Sequence, residues 1–252
     1  MQRKVIPVVA IGLALLSGEG CRPESEIRLR PDGGISAADV DESRLLRADQ
    51  EPGNWMSHGR TYNEQRFSPL KQINTDNVKN LTVAWSWAMT SGATETTPLV
   101  HDGVLFLYNW LDKVQALDAT NGELLWEYKR DIPAEIPRQN GNFAAKRNMA
   151  MVDDKLIVAT SDVHIIALDM KTGKVVWDHQ TEDYKKGWRY SGGPLVAKDV
   201  IVQGMTGCGN AMPGGCFITG HDINTGKELW RFHTVAQPGE PGGDSWNGLP
   251  LE

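Results

Sequence analysis

Three stretches of the chain, TPLVHDGVLFLY (97–108), MAMVDDKLIVAT (149–160) and GPLVAKDVIVQG (193–204), set two apolar runs on either side of a short polar turn. That pattern predicts a hairpin in each. Each hairpin leads into one version of a repeated sentence, ALDATNGELLW (116–126), ALDMKTGKVVW (167–177) or GHDINTGKELW (220–230). The sentence predicts a third strand, a turn, and a fourth strand that carries Trp126, Trp177 or Trp230. Its glycine, Gly122, Gly173 or Gly226, stands where the turn needs positive φ, which glycine reaches without a Cβ clash. Each unit is therefore four strands, and the units recur on roughly the 50-residue period of propeller blades. No segment sustains an i, i+3, i+4, i+7 apolar stripe, which disfavours helical solenoids of similar period.

The fold class expected is an all-β propeller of four-stranded blades with tryptophan docking motifs. A blade cannot bury both faces alone, so a repeated large aromatic beside a repeated tight turn lets successive blades dock alike. Asp118, Asp169 and Asp222 read as turn acceptors for backbone N–H groups rather than as chemistry. NVKNLTVAWSWAM (77–89) reads as a lone fourth strand with Trp85 in the docking place. Three blades and one strand fall short of the roughly four to eight blades that close a ring. The expectation is an N-terminal portion of a longer protein.

The first twenty residues have a different pattern. Arg3 and Lys4 precede VIPVVAIGLALLSG, an apolar run of signal-peptide length, so 1–20 is read as an export signal and the protein as periplasmic. Cys21 stands where a lipoprotein signal would be cut, although Glu19 occupies a place where a small residue is expected; a lipid anchor and a plain cleaved leader both stay open. Residues 21–53, charged and without periodicity, read as a flexible arm, and 54–252 as an incomplete propeller. The net charge of −6 provides no basic stripe for phosphates, so nucleic acid is not an expected partner. In an oxidising compartment Cys208 and Cys216 could pair across the loop GNAMPGG. No CxxCH is present for covalent c-type haem.

The stretch NWMSHGRTYNEQRFSPLKQINTDNVKNLTVAWSW (54–87), with GATETTPLVHDGVLFLY (92–108) and the three docking sentences, resembles the start of the pyrroloquinoline quinone (PQQ) dependent dehydrogenases, the quinoprotein alcohol dehydrogenases in particular. The resemblance runs from Asn54 to the end, and its specific part is the GR-Y-x-x-x-RFSPLxQI opening. It implies a propeller of about eight blades that holds PQQ and a calcium or lanthanide ion near its axis. It also implies oxidation of a small-molecule alcohol by hydride transfer to the quinone, an aspartate base, and a cytochrome c as electron acceptor.

Matched to the family pattern, Glu95 takes the place of a glutamate that contacts the quinone, and Arg147 that of an arginine pairing with a PQQ carboxylate. Ser191 stands for a hydroxyl residue on the cofactor, and Thr206 with Gly207 for the small-residue loop beneath it. Two departures stand out. The family's adjacent cysteines would fall near PRQNGN (137–142), where there are none, and its metal-ligating glutamate is replaced by Gly209, leaving Asn210 as the candidate oxygen donor. The catalytic aspartate and second metal ligand of the family would fall beyond residue 252, so no base is nominated. A noncatalytic propeller scaffold, such as an outer-membrane assembly lipoprotein, is the alternative reading.

Overall fold

The computed structural model describes residues 39–136, 146–208, 215–236 and 238–245. The export signal, Cys21, PRQNGN and Asn210 lie outside the described residues.

Three antiparallel meanders follow one another along the chain. The first is β1 (Leu99–His101), β2 (Val104–Asn109), β3 (Lys113–Asp118) and β4 (Leu124–Lys129). The second is β5 (Ala150–Val152), β6 (Lys155–Ala159), β7 (His164–Asp169) and β8 (Val175–Gln180). The third is β9 (Leu195–Ala197), β10 (Val200–Gly204), β11 (Phe217–Asp222) and β12 (Glu228–His233). The hairpin turns place Asp102, Asp153 and Lys198 at left-handed φ of 46°, 50° and 53°. All three blades start in the same register, Leu99 opposite Phe106, Ala150 opposite Ile157 and Leu195 opposite Val202.

Side chains alternate across a strand, so the middle blade feeds two cores at once. Leu156, Val158, Ile166 and Leu168 pack with Phe106 and Trp126 of the first blade. Their neighbours Ile157, Ile165 and Ala167 pack with Val196, Ile201 and Phe217 of the third. Burial on both faces is why β6 and β7 read as nearly continuous apolar runs, KLIVA and HIIALD.

The repeated sentence builds the same joint each time. Asp118, Asp169 and Asp222 accept hydrogen bonds from the backbone N–H groups of Thr120 (2.8 Å), Thr172 (2.7 Å) and Thr225 (2.8 Å). The glycines that follow sit at φ of 76°, 71° and 70°. The preceding blade's tryptophan covers the second and third of these turns. Trp126 Nε1 donates to Met170 O at 2.9 Å and Trp177 Nε1 to Ile223 O at 3.1 Å. A Cβ built on Gly173 or Gly226 would lie 2.6 or 2.5 Å from the covering ring. The glycine thus serves both the dihedral and the close approach.

Residues 77–89 are a 3-10 turn (Val78–Asn80) and an extended run, with no strand partner among the described residues. Trp85 still docks on the first blade, its Nε1 donating to Ala119 O at 3.1 Å and its ring over Gly122. Residues 39–53, expected within a flexible arm, instead include a short helix α1 (Glu42–Leu46) capped by Asp41. Two apolar side chains in that charged stretch, Val40 and Leu45, are buried against the blades. The arm continues as a strap. Val40 exchanges backbone hydrogen bonds with Asp153, Trp55 with Val100, and Tyr62 donates its hydroxyl to Val196 O at 2.8 Å. It thereby touches all three blades and occupies the free edge of β1. Buried Arg60, from the GR-Y motif, fastens the strap on itself through Asp49 (2.7 Å), Ala48 O and Phe67 O.

Candidate functional site at the inner rim

Ahead of each first strand, β1, β5 and β9, runs a short extended segment, and the shared register places Glu95, Lys146 and Ser191 at corresponding positions. Hydrogen bonds join the three segments side by side. Glu95 N–H donates to Lys146 O at 3.2 Å and Thr97 N–H to Arg147 O at 3.1 Å. Thr96 Oγ1 lies 2.8 Å from Lys146 O and 2.7 Å from Tyr108 O. On the other side Gly193 N–H donates to Asn148 Oδ1 at 2.7 Å, and Asn148 Nδ2 donates to Pro194 O at 3.2 Å.

Glu95, Arg147 and Ser191 meet at this rim, one from each blade. Arg147 Nη2 is 2.8 Å from Glu95 Oε2, and Arg147 Nη1 donates to Ser191 O at 2.9 Å. Both charged side chains stay open to solvent, 47% exposed for Arg147 and 51% for Glu95. Thr206 and Gly207 belong to the same blade as Ser191. They are held through Arg189, whose backbone exchanges hydrogen bonds with Thr206 at 2.9 and 3.0 Å, while Thr206 Oγ1 donates to Arg189 O at 3.1 Å. Among the described residues no hydrogen bond or ion pair joins Thr206 or Gly207 directly to Arg147 or Glu95. Gly207, at φ 84°, leaves no room for a Cβ, which would lie 2.1 Å from Gly187 O. Next to it Cys208 and Cys216 form a disulfide with Cα atoms 5.2 Å apart.

Lys146, at the place matching Glu95 and Ser191, points inward. Its ammonium is 3% exposed and lies 3.1 Å from the Asp112 carboxylate, itself 1% exposed. A buried ion pair is stable only when its remaining hydrogen-bonding positions are filled. Here most are: Tyr108 Oη lies 2.7 Å from Asp112 Oδ1 and 2.8 Å from Ala159 O, Ser161 N–H donates to Asp112 Oδ2 at 2.6 Å, and Lys146 Nζ also reaches Ala159 O at 3.3 Å. Burial, then Asp112, hold the Tyr108 hydroxyl well above its ordinary pKa, so it remains a donor. Reading the sequence did not single out Lys146, Asp112 or Asn148. The one signal for Lys146 was its alignment with Glu95 and Ser191 across the hairpins.

The rim offers a permanent cation in a fork geometry, a carboxylate and a hydroxyl residue, beside open space at Gly192, where an added Cβ meets nothing within 4 Å. That set suits a flat, polar ligand carrying carboxylates, since a guanidinium pairs with a carboxylate through two parallel hydrogen bonds. PQQ has that chemistry, and the residues present fit it. Among the described residues no group of three or more His, Cys, Asp or Glu side chains is arranged to hold a metal ion.

Comparison with known proteins yields a consistent picture. The family model for the PQQ glucose/ethanol/alcohol dehydrogenase β-propeller domain matches residues 55–249. A quinohemoprotein alcohol dehydrogenase, ADH IIB, from Pseudomonas putida is 42% identical over 206 residues, which are 81% of this chain and 29% of the relative. Among solved structures, the quinohemoprotein alcohol dehydrogenase ADHIIG from Pseudomonas putida superposes with a TM-score of 0.73 at 38% identity, over 83% of this chain and 31% of that one. A europium-containing methanol dehydrogenase superposes with a TM-score of 0.71 at 29% identity, over 79% of this chain and 35% of that one. The chain thus spans less than a third of the length of the curated relative, 29%.

Proposed function

The chain belongs to the PQQ glucose/ethanol/alcohol dehydrogenase β-propeller family, and from that premise we propose that it is part of a PQQ-dependent dehydrogenase that oxidises an alcohol. The observation that carries the reading is the meeting of Glu95, Arg147 and Ser191, from three blades, at one solvent-open rim. When bound, PQQ would supply the electron-accepting chemistry that oxidation of an alcohol requires. The chain's own residues bind and orient it. Arg147 would pair with a carboxylate of the quinone, Ser191 would offer a hydroxyl, Glu95 would contact the cofactor from the first blade, and Thr206 with Gly207 would supply the small-residue loop beneath it from the third.

A metal ion, calcium or a lanthanide, belongs to the same proposal, with Asn210 as a candidate donor and the europium-containing relative as its nearest support. Export to the periplasm, after removal of 1–20, and delivery of electrons to a cytochrome c complete the reading. The relatives' names include alcohol, ethanol and 1-butanol dehydrogenases, which supports the reading of a small alcohol as substrate.

The test is a PQQ titration of the purified protein with and without calcium, repeated on Glu95→Gln and Arg147→Ala. Saturable binding weakened by both substitutions, about tenfold or more for loss of the guanidinium, is the expected result. Binding that ignores both would remove the inner rim as the quinone site.

A further inference from the structure

Among the described residues the polar partners of the Arg147 side chain come from the neighbouring blades, Glu95 from the first and Ser191 from the third, and the residues on either side of it are likewise each fixed to a different blade. On one side Lys146 is buried in the first blade by Asp112, and its carbonyl accepts from Glu95 N–H at 3.2 Å. On the other side Asn148 uses both ends of its side-chain amide on the third blade, accepting from Gly193 N–H at 2.7 Å and donating to Pro194 O at 3.2 Å. The approach there leaves no room for a side chain on Gly193. A Cβ on Gly193 would lie 1.9 Å from Asn148 O, so only glycine lets the segments meet.

Resting on the quinone reading of this rim, we propose that Asn148 is a positioning residue for Arg147: it docks Gly193–Pro194 against the second blade and so sets the distance between the Arg147 guanidinium and Ser191. Arg147 Nη1 reaches Ser191 O at 2.9 Å, and Ser191 lies on the short segment whose end Asn148 grips. A long side chain with several free rotations is expensive to order, and a fixed acceptor in the right place removes part of that cost before any ligand arrives. Without the Asn148 amide the Gly192–Pro194 turn loses its two side-chain ties to the second blade. Ser191 O then drifts from Nη1, and the guanidinium is left with Glu95 as its anchor.

Two readouts test this, one of them independent of the quinone. In the ligand-free protein the Arg147 side-chain N–H signal, assigned by its disappearance in Arg147→Lys, is expected to be distinct and slowly exchanging, and to broaden or move to fast exchange in Asn148→Ala. In PQQ titrations Asn148→Ala is expected to weaken binding about tenfold, as loss of a hydrogen-bonded tie would, and to cause no further weakening when Arg147 is already alanine. Asn148→Asp, which keeps the acceptor for Gly193 and loses the donor to Pro194, should fall between the two and serves if the alanine variant does not fold. An Arg147 signal unchanged in Asn148→Ala, or a loss of PQQ affinity that is the same with and without Arg147, would overturn the proposal. Failure of the unaltered protein to bind PQQ would count against the quinone reading instead, and the Arg147 signal would still decide whether Asn148 positions it.

Discussion

The turns that join the blades and the inner rim differ in one telling way: the first repeat one solution, whereas the second gives a different residue at each equivalent place. Gly122, Gly173 and Gly226 are each covered by the tryptophan of the preceding segment, at closest Cβ approaches of 2.6, 2.6 and 2.5 Å. At the rim the corresponding positions hold Glu95, Lys146 and Ser191, a surface carboxylate, a buried ammonium and a hydroxyl. Repetition marks the positions that packing dictates, since each blade must dock on the next. Departure from the repeat marks positions that blade docking does not dictate, and two of these three, Glu95 and Ser191, belong to the proposed quinone site.

The strongest way to break this comparison is at a joint. Trp126 is 1% exposed and sits between two blades, whereas Trp230, in the same sentence of the third blade, is 42% exposed and lies over its own Gly220. Trp126→Ala is expected to destabilise by about 3–5 kcal/mol and Trp230→Ala by roughly 1 kcal/mol or less, read from denaturant unfolding. Equal losses would mean that the motif acts within its blade rather than between blades.

Next in size is Gly173→Ala, which places a side chain at φ 71° and against the Trp126 ring. A cost of about 1–3 kcal/mol is expected, in the range of backbone strain at left-handed positions. A smaller effect still is expected from the strap. Arg44 donates two hydrogen bonds to the Glu51 carboxylate, at 2.8 and 2.5 Å, and holds its pKa down to about 2 from an ordinary 4.5. A depressed carboxylate stabilises the fold above its unfolded pKa and loses that contribution as it takes up a proton. Stability should therefore fall as pH drops from 4.5 through about 2, and Glu51→Gln should flatten that part of the profile.

The smallest effect on stability belongs to the rim itself. Arg147→Ala removes a half-exposed ion pair with Glu95, worth at most about 1 kcal/mol, so the unfolding midpoint should scarcely move while PQQ affinity falls. A large loss of stability there would blur the line between joint and site.

How much of this was legible in the sequence follows the same line. The blades were readable because their instructions are short-range: an alternating hairpin, an Asp that accepts its own turn, a glycine at positive φ and a tryptophan at a fixed offset. Trp85 could be recognised as a docking residue by its motif, but its segment has no ladder among the described residues, because pairing depends on another strand's backbone. Residues 39–53 looked mobile by composition, since their few apolar side chains, Val40, Leu45, Leu46 and Ala48, are outnumbered by charges; the burial of Val40 and Leu45 depends on a groove made far away in the sequence. Glu95, Arg147 and Ser191 could be nominated from resemblance to a family pattern alone. Lys146 and Asn148 gave no comparable signal, because what defines them, Asp112 and Gly193, comes from neighbouring blades.

The most direct test of the central claim is a crystal structure of the protein grown with PQQ. Quinone density against the Arg147 guanidinium and Ser191, with Glu95 at its edge, is the predicted result. Density elsewhere on the blades, with the Glu95–Arg147 pair undisturbed, would contradict it.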